Sequence, residues 1–196
     1  MKRSKKTKLS GSFGCLVAIV CILVIPFTLY KYASYQSEAW SHQFKLSHFP
    51  AYLKITKITY EKSKHWGIGG PGDNETGVLV YELPPQISKS IRTGGLAFLQ
   101  RTEFEHQHAT KSLAKPFVWY STPINTDEHW IDKPVNEIQI ADFLTRWGYG
   151  IDIDSSVQAS LNQVLGSKGN FYTPAWGGGI AIIAPSMEKA FFVYAG

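Results

Sequence analysis

The feature that most constrains this sequence is a long run without charged residues near its N-terminus. Residues 9–30 contain no Asp, Glu, Lys or Arg, and most residues between positions 13 and 27 are apolar. A helix rises about 1.5 Å per residue, so about 20 residues cross the roughly 30 Å hydrocarbon core of a bilayer. The run therefore predicts a transmembrane helix over residues 9–32, with the lipid bilayer as its partner.

The charges on the two sides of this run predict its orientation. Behind the run only Lys31 lies close to it. The basic residues before it are Lys2, Arg3, Lys5, Lys6 and Lys8. Because the basic flank of a membrane helix stays in the cytoplasm, residues 1–8 are predicted to form a cytoplasmic tail. The rest of the chain is then extracytoplasmic, on the periplasmic side of the inner membrane if the source is a Gram-negative bacterium.

A cleaved signal peptide is the alternative interpretation of the same run. The apolar part of a signal peptide spans about 7–15 residues and ends in small residues before the cleavage site. Here the run is longer, it ends in bulky residues at 29–32, and the best cleavage candidate, Ala39, comes late. We therefore favour an uncleaved single-pass signal-anchor helix, followed by a stalk or linker over residues 33–50 and one globular domain over residues 51–196.

The charge of the chain first points to nucleic acid, but its distribution does not. The chain has 20 basic and 15 acidic residues, a net charge of +5. Six of the basic residues and none of the acidic ones lie in residues 1–32, which leaves 14 basic against 15 acidic residues in the remainder. A nearly neutral domain lacks the positive surface with which proteins bind phosphate backbones. No nucleic-acid partner is expected.

The cysteines and the absence of nucleotide motifs exclude further chemistry. Both cysteines, Cys15 and Cys21, lie in the uncharged run, so residues 33–196 have no disulfide, no Cys nucleophile and no Cys metal ligand. Neither a P-loop nor a dinucleotide-binding fingerprint is present in the chain. No cofactor is expected.

Strands are predicted near both ends of residues 51–196. The evidence is a two-residue alternation or a short apolar run bounded by turn residues. The predicted strands are residues 53–60, 78–83, 117–122, 180–184 and 190–194, and the less regular segment 96–108 is also assigned to a strand. The last two strands form a hairpin around Pro185.

Helices are predicted between these strands. One begins at the pair Pro84 and Pro85, because proline is accepted in a first turn, and ends at the pair of glycines 94 and 95. A second spans residues 134–147 with Trp147 on its buried face, and a third begins with a capping box at Ser155. This order of elements predicts an α+β domain with a mainly antiparallel sheet and about three helices.

Two glycine-rich segments are the predicted binding loops. Residues 65–77 contain five glycines and residues 172–179 contain three, so the backbone can approach a ligand closely there. The candidate binding residues in them are His65, Trp66, Asp73, Glu75 and Trp176. Each segment precedes a predicted strand, so we expect both loops at one end of the sheet. The alternative is that both are structural turns.

A His-x-His pair is the predicted metal site. If residues 103–108 are extended, His106 and His108 point to the same side of the chain and can both reach one zinc ion. A zinc site needs three or four ligands, so others have to come from elsewhere in the fold. The alternative is a polar exposed edge segment.

These features predict a membrane-anchored extracytoplasmic protein whose domain binds a protein or another envelope component without catalysis. The alternative is a membrane-anchored hydrolase with a site around His65, Asp73 and Glu75, or around the pair His106 and His108. An enzyme should gather titratable groups from distant segments in one pocket, whereas a binding domain should present an exposed aromatic or apolar patch.

Overall fold

The computed structural model describes residues 10–65, 74–101, 118–124, 133, 137–147, 150–175 and 178–195, with the side chains of the N-terminal helix from residue 24 onward. The chain divides into two compact units, Met1–Lys45 and Leu46–Gly196.

The first unit contains the helix α1, Ser10–Leu46, which continues one residue into the second unit. Its 37 residues cover residues 10–32 of the predicted helix and continue through most of the predicted stalk. Within the described part of the chain, no helix is both long enough and apolar enough to cross a membrane. The helix is therefore confirmed, but its transmembrane character is not borne out.

The second unit is an α+β fold, as predicted. Its strands are β1 (Ile58–His65), β2 (Glu75–Glu82), β3 (Tyr120–Ser121), β4 (Phe171–Ala175), β5 (Gly179–Ala184) and β6 (Lys189–Ala195). Its helices are α2 (Pro85–Arg101), α3 (Ile140–Thr145) and α4 (Ser155–Gly166). Short 3₁₀ turns occupy Ala51–Leu53 and Pro185–Met187.

All six strands form one antiparallel sheet in the order β1-β2-β6-β5-β4-β3. The last strand of the chain, β6, lies between β2 and β5. Because both neighbours are antiparallel to β6, β2 and β5 run in the same direction and begin at the same end of the sheet. The starts of these two strands therefore lie at one end of the sheet, as predicted. The predicted loops are wrong in part, because residues 172–175 belong to β4 and residues 75–77 belong to β2.

Both faces of the sheet are covered, and this explains its hydrophobic strands. On one face, Val80, Ile182 and Phe191 pack with residues of α3 and α4. On the other face, Leu79 and Phe192 are in a second core cluster with residues of α2 and of the segment that follows α1. A strand buried on both sides needs no polar alternation, and every residue of β5 is buried.

Several boundaries differ from the sequence predictions. The strand predicted over residues 53–60 is wrong at its start, because Ala51–Leu53 is a 3₁₀ turn and β1 begins at Ile58. The strand predicted over residues 96–108 is wrong for its described part, since α2 continues to Arg101. Gly95 does not end that helix but takes φ 56° and ψ −140° at a kink within it, a conformation open to glycine.

Two further elements are shorter or begin differently than predicted. In the described part of residues 134–147, the α-helix covers only Ile140–Thr145. The N-cap residue of α4 is Asp154, and no side chain caps it, so the predicted capping box is wrong. The helix itself and the final hairpin are confirmed.

Candidate functional site

One end of the sheet gathers residues from distant parts of the chain. β1 ends there at His65 and β2 begins there at Glu75, and these two residues face each other across the strand pair. The end of β4, the start of β5 and the end of β6 at Ala195 lie at the same end. The described residues that flank both predicted binding segments therefore lie at this end, which we call the loop end of the sheet.

A carboxylate at the loop end joins an imidazole and a phenol. Oε1 of Glu75 lies 3.4 Å from Nε2 of His65, and it accepts a hydrogen bond of 2.9 Å from the hydroxyl of Tyr194. The side chain of His65 is 60% exposed, whereas that of Glu75 is only 13% exposed. The carboxylate is thus largely withdrawn from water and is held by its neighbours, while the imidazole remains open to a partner.

A glycine makes room for this arrangement. Gly77 lies opposite Tyr194 in the β2–β6 pair, and a Cβ atom at Gly77 would overlap the ring and hydroxyl of Tyr194. The Tyr194 ring therefore lies over the bare backbone of β2, and its hydroxyl reaches Glu75 two residues away. Phe192 also packs against the Tyr194 ring, with 5.7 Å between the two ring centroids.

The hydroxyl groups of Tyr194 and of the neighbouring Tyr81 stay protonated at neutral pH. Burial, followed by the charge of Glu75, raises the pKa of Tyr194 well above its ordinary value. Burial also raises the pKa of Tyr81, with smaller contributions from Tyr194 and Glu61. A protonated Tyr194 acts as a hydrogen-bond donor to Glu75, so the cluster is built to hold a carboxylate in place.

The cluster continues inward to His48. Its ring stacks on Phe192 with 4.0 Å between centroids, and its Nδ1 lies 3.2 Å from the hydroxyl of Tyr81. The polar groups thus follow one face of the sheet from its open end towards its core.

The opposite face of the loop end carries an exposed tryptophan. Trp147 follows α3, and this residue is 61% exposed although its Nε1 donates to the carbonyl of Ala195 at 3.1 Å. The guanidinium of Arg146 lies 5.2 Å from the Trp147 ring, and it donates to the carbonyls of Gly178 and Ala195. The prediction that Trp147 is buried is wrong, because its indole N–H is bound at the sheet end and turns the ring outward.

The predicted site residues divide into two groups. His65 and Glu75 are described and in contact. The others, Trp66, Asp73, Trp176, His106 and His108, lie outside the described residues. Within the described ranges, no three His, Cys, Asp or Glu side chains are grouped so that they could hold a metal ion.

Sequence reasoning missed Tyr194 and Trp147. The alternation in the last strand does place Tyr194 on one face with Phe192, but nothing in the sequence shows that β6 inserts beside β2. For Trp147 the helical spacing from Phe143 pointed to the core. The helix ends at Thr145, so that spacing no longer applies two residues later.

Comparisons with protein-family models, with curated proteins and with solved structures give no match to this chain. Its function has to be inferred from the residues of the site.

Proposed function

We propose that this chain is a single-pass membrane-anchored protein whose extracytoplasmic domain binds a protein or another envelope component without catalysis. The contact surface is the loop end of the sheet. The observation that carries the binding proposal is Trp147, an aromatic side chain that is largely exposed yet held by a hydrogen bond of its own N–H. Such a ring offers apolar contact area without losing a polar partner on binding.

The anchor part of the proposal rests on the sequence and on exposed apolar side chains. The uncharged run of residues 9–30 is preceded by five basic residues. In the described part of α1, Val24, Ile25, Phe27 and Leu29 are each about half exposed or more. Lipid would cover these side chains, whereas water would leave them unfavourably hydrated.

The anchor is tested by extraction and by the mature N-terminus. After an alkaline carbonate wash of membranes, the full chain should remain in the pellet and retain Met1 or Lys2 at its N-terminus. Recovery in the supernatant, or an N-terminus near residue 40, would show that residues 9–32 do not anchor the mature protein.

The binding surface is tested by site-specific photocrosslinking in intact cells. A photoreactive phenylalanine analogue at position 147 should give a discrete adduct of higher mass. The same analogue at Tyr120 is the matched control, because Tyr120 is also an exposed aromatic (46%) but pairs with Tyr172 at the far end of β4. Equal adducts at both positions, or none at 147, would contradict the assignment of the loop end.

A hydrolase remains the second candidate, favoured by the contact between His65 and Glu75. A carboxylate that orients an exposed imidazole is an arrangement used in general base catalysis. Neither side chain, however, lines the groove at residues 141–158 or the one at residues 37–45. If the chain is a hydrolase, Glu75→Gln should abolish turnover of an ester or glycoside substrate; if it is a binding protein, no turnover exists and the crosslink at 147 persists.

A further inference from the structure

A groove of about 360 Å³ lies between α3, the start of α4 and the segment that connects them. It is lined by Ala141, Leu144, Thr145, Gly150, Ile151, Asp152, Ile153 and Gln158. Its volume is within the range of small binding sites. The connecting segment begins three residues after Trp147, so the groove adjoins the proposed contact surface along the chain.

The connecting segment has the character of a strand without a partner strand. Burial alternates along it, with Ile151 and Ile153 half-buried against the core and Asp152 exposed. This period of two indicates an extended chain. Among the described residues, no backbone hydrogen bond joins residues 150–153 to another segment.

The backbone of this segment itself lines the groove. In an extended chain, neighbouring side chains point to opposite sides, so four consecutive residues cannot all reach one groove through side chains alone. Gly150 permits the close approach to α3, because a Cβ at that position would lie 2.8 Å from Cγ2 of Thr145. Backbone N–H and C=O groups are therefore available to a chain placed in the groove.

The charge of the groove limits what such a chain can carry. Asp152 is the one charged side chain among the lining residues, and it is exposed. An anionic ligand such as a phosphate would face this carboxylate with no cation among the lining residues to offset it. A lysine or arginine opposite Asp152 would instead form a complementary pair.

We infer that this groove binds an extended segment of a partner protein by strand addition along residues 150–153, with a basic side chain of the partner opposite Asp152. Four residues at about 3.3 Å each span about 13 Å, so the contact covers about four residues of the partner. In strand addition, main-chain hydrogen bonds supply affinity and the side chains supply specificity. The inference rests on the proposed binding function and assigns the kind of partner.

The test uses the full chain in lipid nanodiscs and labelled peptides of seven residues. The first peptide alternates threonine and valine around a central lysine, and the second has glutamate at its centre. Two more lysine peptides carry N-methyl groups along one backbone edge or the other. Fluorescence polarisation reports binding, with Asp152→Asn as the test variant and Asp154→Asn as the matched control, because Asp154 is also exposed but does not line the groove.

The lysine peptide should bind at least about tenfold more tightly than the glutamate peptide, and Asp152→Asn should remove that preference while Asp154→Asn retains it. Methylation of one edge should abolish binding, and methylation of the other should leave it. Equal binding of the lysine and glutamate peptides, equal effects of both methylated edges, or no binding at 1 mM peptide would each overturn the inference. A crosslink at position 147 that persists in those cases would leave the proposed function standing.

Discussion

At the scale of single residues, Glu75 joins two side chains that are far apart in the sequence. Its carboxylate lies against His65, ten residues away, and against Tyr194, 119 residues away. A carboxylate that is only 13% exposed has lost much of its hydration and needs donors in its place. The hydroxyl of Tyr194 is therefore a stabilising donor as well as part of the candidate site.

Replacing Tyr194 with phenylalanine removes that donor. We expect Tyr194→Phe to lower the free energy of unfolding at pH 7 by about 1–3 kcal/mol, because the Glu75 carboxylate keeps its burial and loses a hydrogen bond. Tyr120→Phe is the control and should change stability little, since the Tyr120 side chain is exposed and its hydroxyl loses no burial. Urea denaturation of the full chain in mild detergent measures both. Equal effects would mean that the bond to Glu75 is not stabilising.

Tyr194→Phe should also change how the free energy of unfolding depends on pH in the alkaline range. The pKa of Tyr194 is raised in the folded state, so its contribution to stability is complete below about pH 10, the ordinary value for tyrosine, and falls as pH rises towards the folded pKa. One such group lowers the free energy of unfolding by up to about 1.4 kcal/mol per pH unit. Tyr194→Phe should therefore make the decline above pH 10 shallower. An unchanged slope would contradict the raised pKa.

The effect of Gly77→Ala on the free energy of unfolding should depend on the side chain at position 194. Gly77→Ala should cost about 1–3 kcal/mol of unfolding free energy, because the new methyl group occupies space filled by the Tyr194 ring. In a Tyr194→Ala background the same change should be neutral or stabilising by up to about 1 kcal/mol, since alanine loses less backbone entropy than glycine. A cost that is equal in both backgrounds would show that the two positions are not coupled.

The contact between His65 and Glu75 could be foreseen only in part from sequence. Both residues are candidates because they belong to the glycine-rich segment 65–77, and the antiparallel pairing of β1 with β2 brings them face to face. The contact of Tyr194 with Glu75 forms only because β6 lies beside β2. That pairing joins the end of the chain to its middle, and no local pattern encodes it.

At the scale of elements, the C-terminal end of α4 is held by one buried side chain. The amide of Asn170, which is 3% exposed, donates to the carbonyls of Val164 and Ser167. The backbone carbonyl of Asn170 accepts hydrogen bonds from the backbone N–H and the hydroxyl of Thr122. Helix C-termini leave their last carbonyls without helical partners, so Asn170 supplies a donor to that of Val164 and also ties the helix to the segment after β3.

Asn170→Ala should therefore destabilise the domain by about 1–3 kcal/mol, because the buried carbonyl of Val164 loses its donor, whereas the carbonyl of Ser167 keeps the Thr122 hydroxyl. Hydrogen exchange should also become faster in the last turn of α4. Ser167→Ala is the matched control, since it removes only one acceptor of the same amide, and should cost about 1 kcal/mol or less. If the two variants are equally destabilising, the amide of Asn170 does not hold the helix end.

Elements were predictable where their apolar pattern is long and their limits are marked. The helix α4 and the β5–β6 hairpin follow from local spacing and turn residues. The error over residues 53–60 arose because the apolar alternation there is shared by a 3₁₀ turn and the start of a strand. The error at Gly95 arose because a glycine that can end a helix can also kink it, and the packing of Leu99 in the core decides between the two.

At the scale of the whole molecule, composition separates the chain into parts with different physical character. Residues 33–196 carry nearly balanced charges and no cysteine, whereas residues 1–32 hold six basic residues and both cysteines. The boundary between the two compact units falls later, between Lys45 and Leu46, because α1 continues through the predicted stalk. The change in charge and cysteine content near residue 32 can be seen in the sequence, but the helix α1 continues beyond it to Leu46.

This distribution of cysteine gives a direct test of orientation. If residues 9–32 cross the bilayer with the basic tail in the cytoplasm, a membrane-impermeant maleimide added to intact spheroplasts should label Lys62→Cys, an exposed position on β1. Lys5→Cys should react only after lysis. The unaltered chain, with Cys15 and Cys21 inside the bilayer, should not react before lysis. Labelling of Lys5→Cys but not Lys62→Cys in intact spheroplasts would reverse the topology, and labelling of neither would place the whole chain in the cytoplasm.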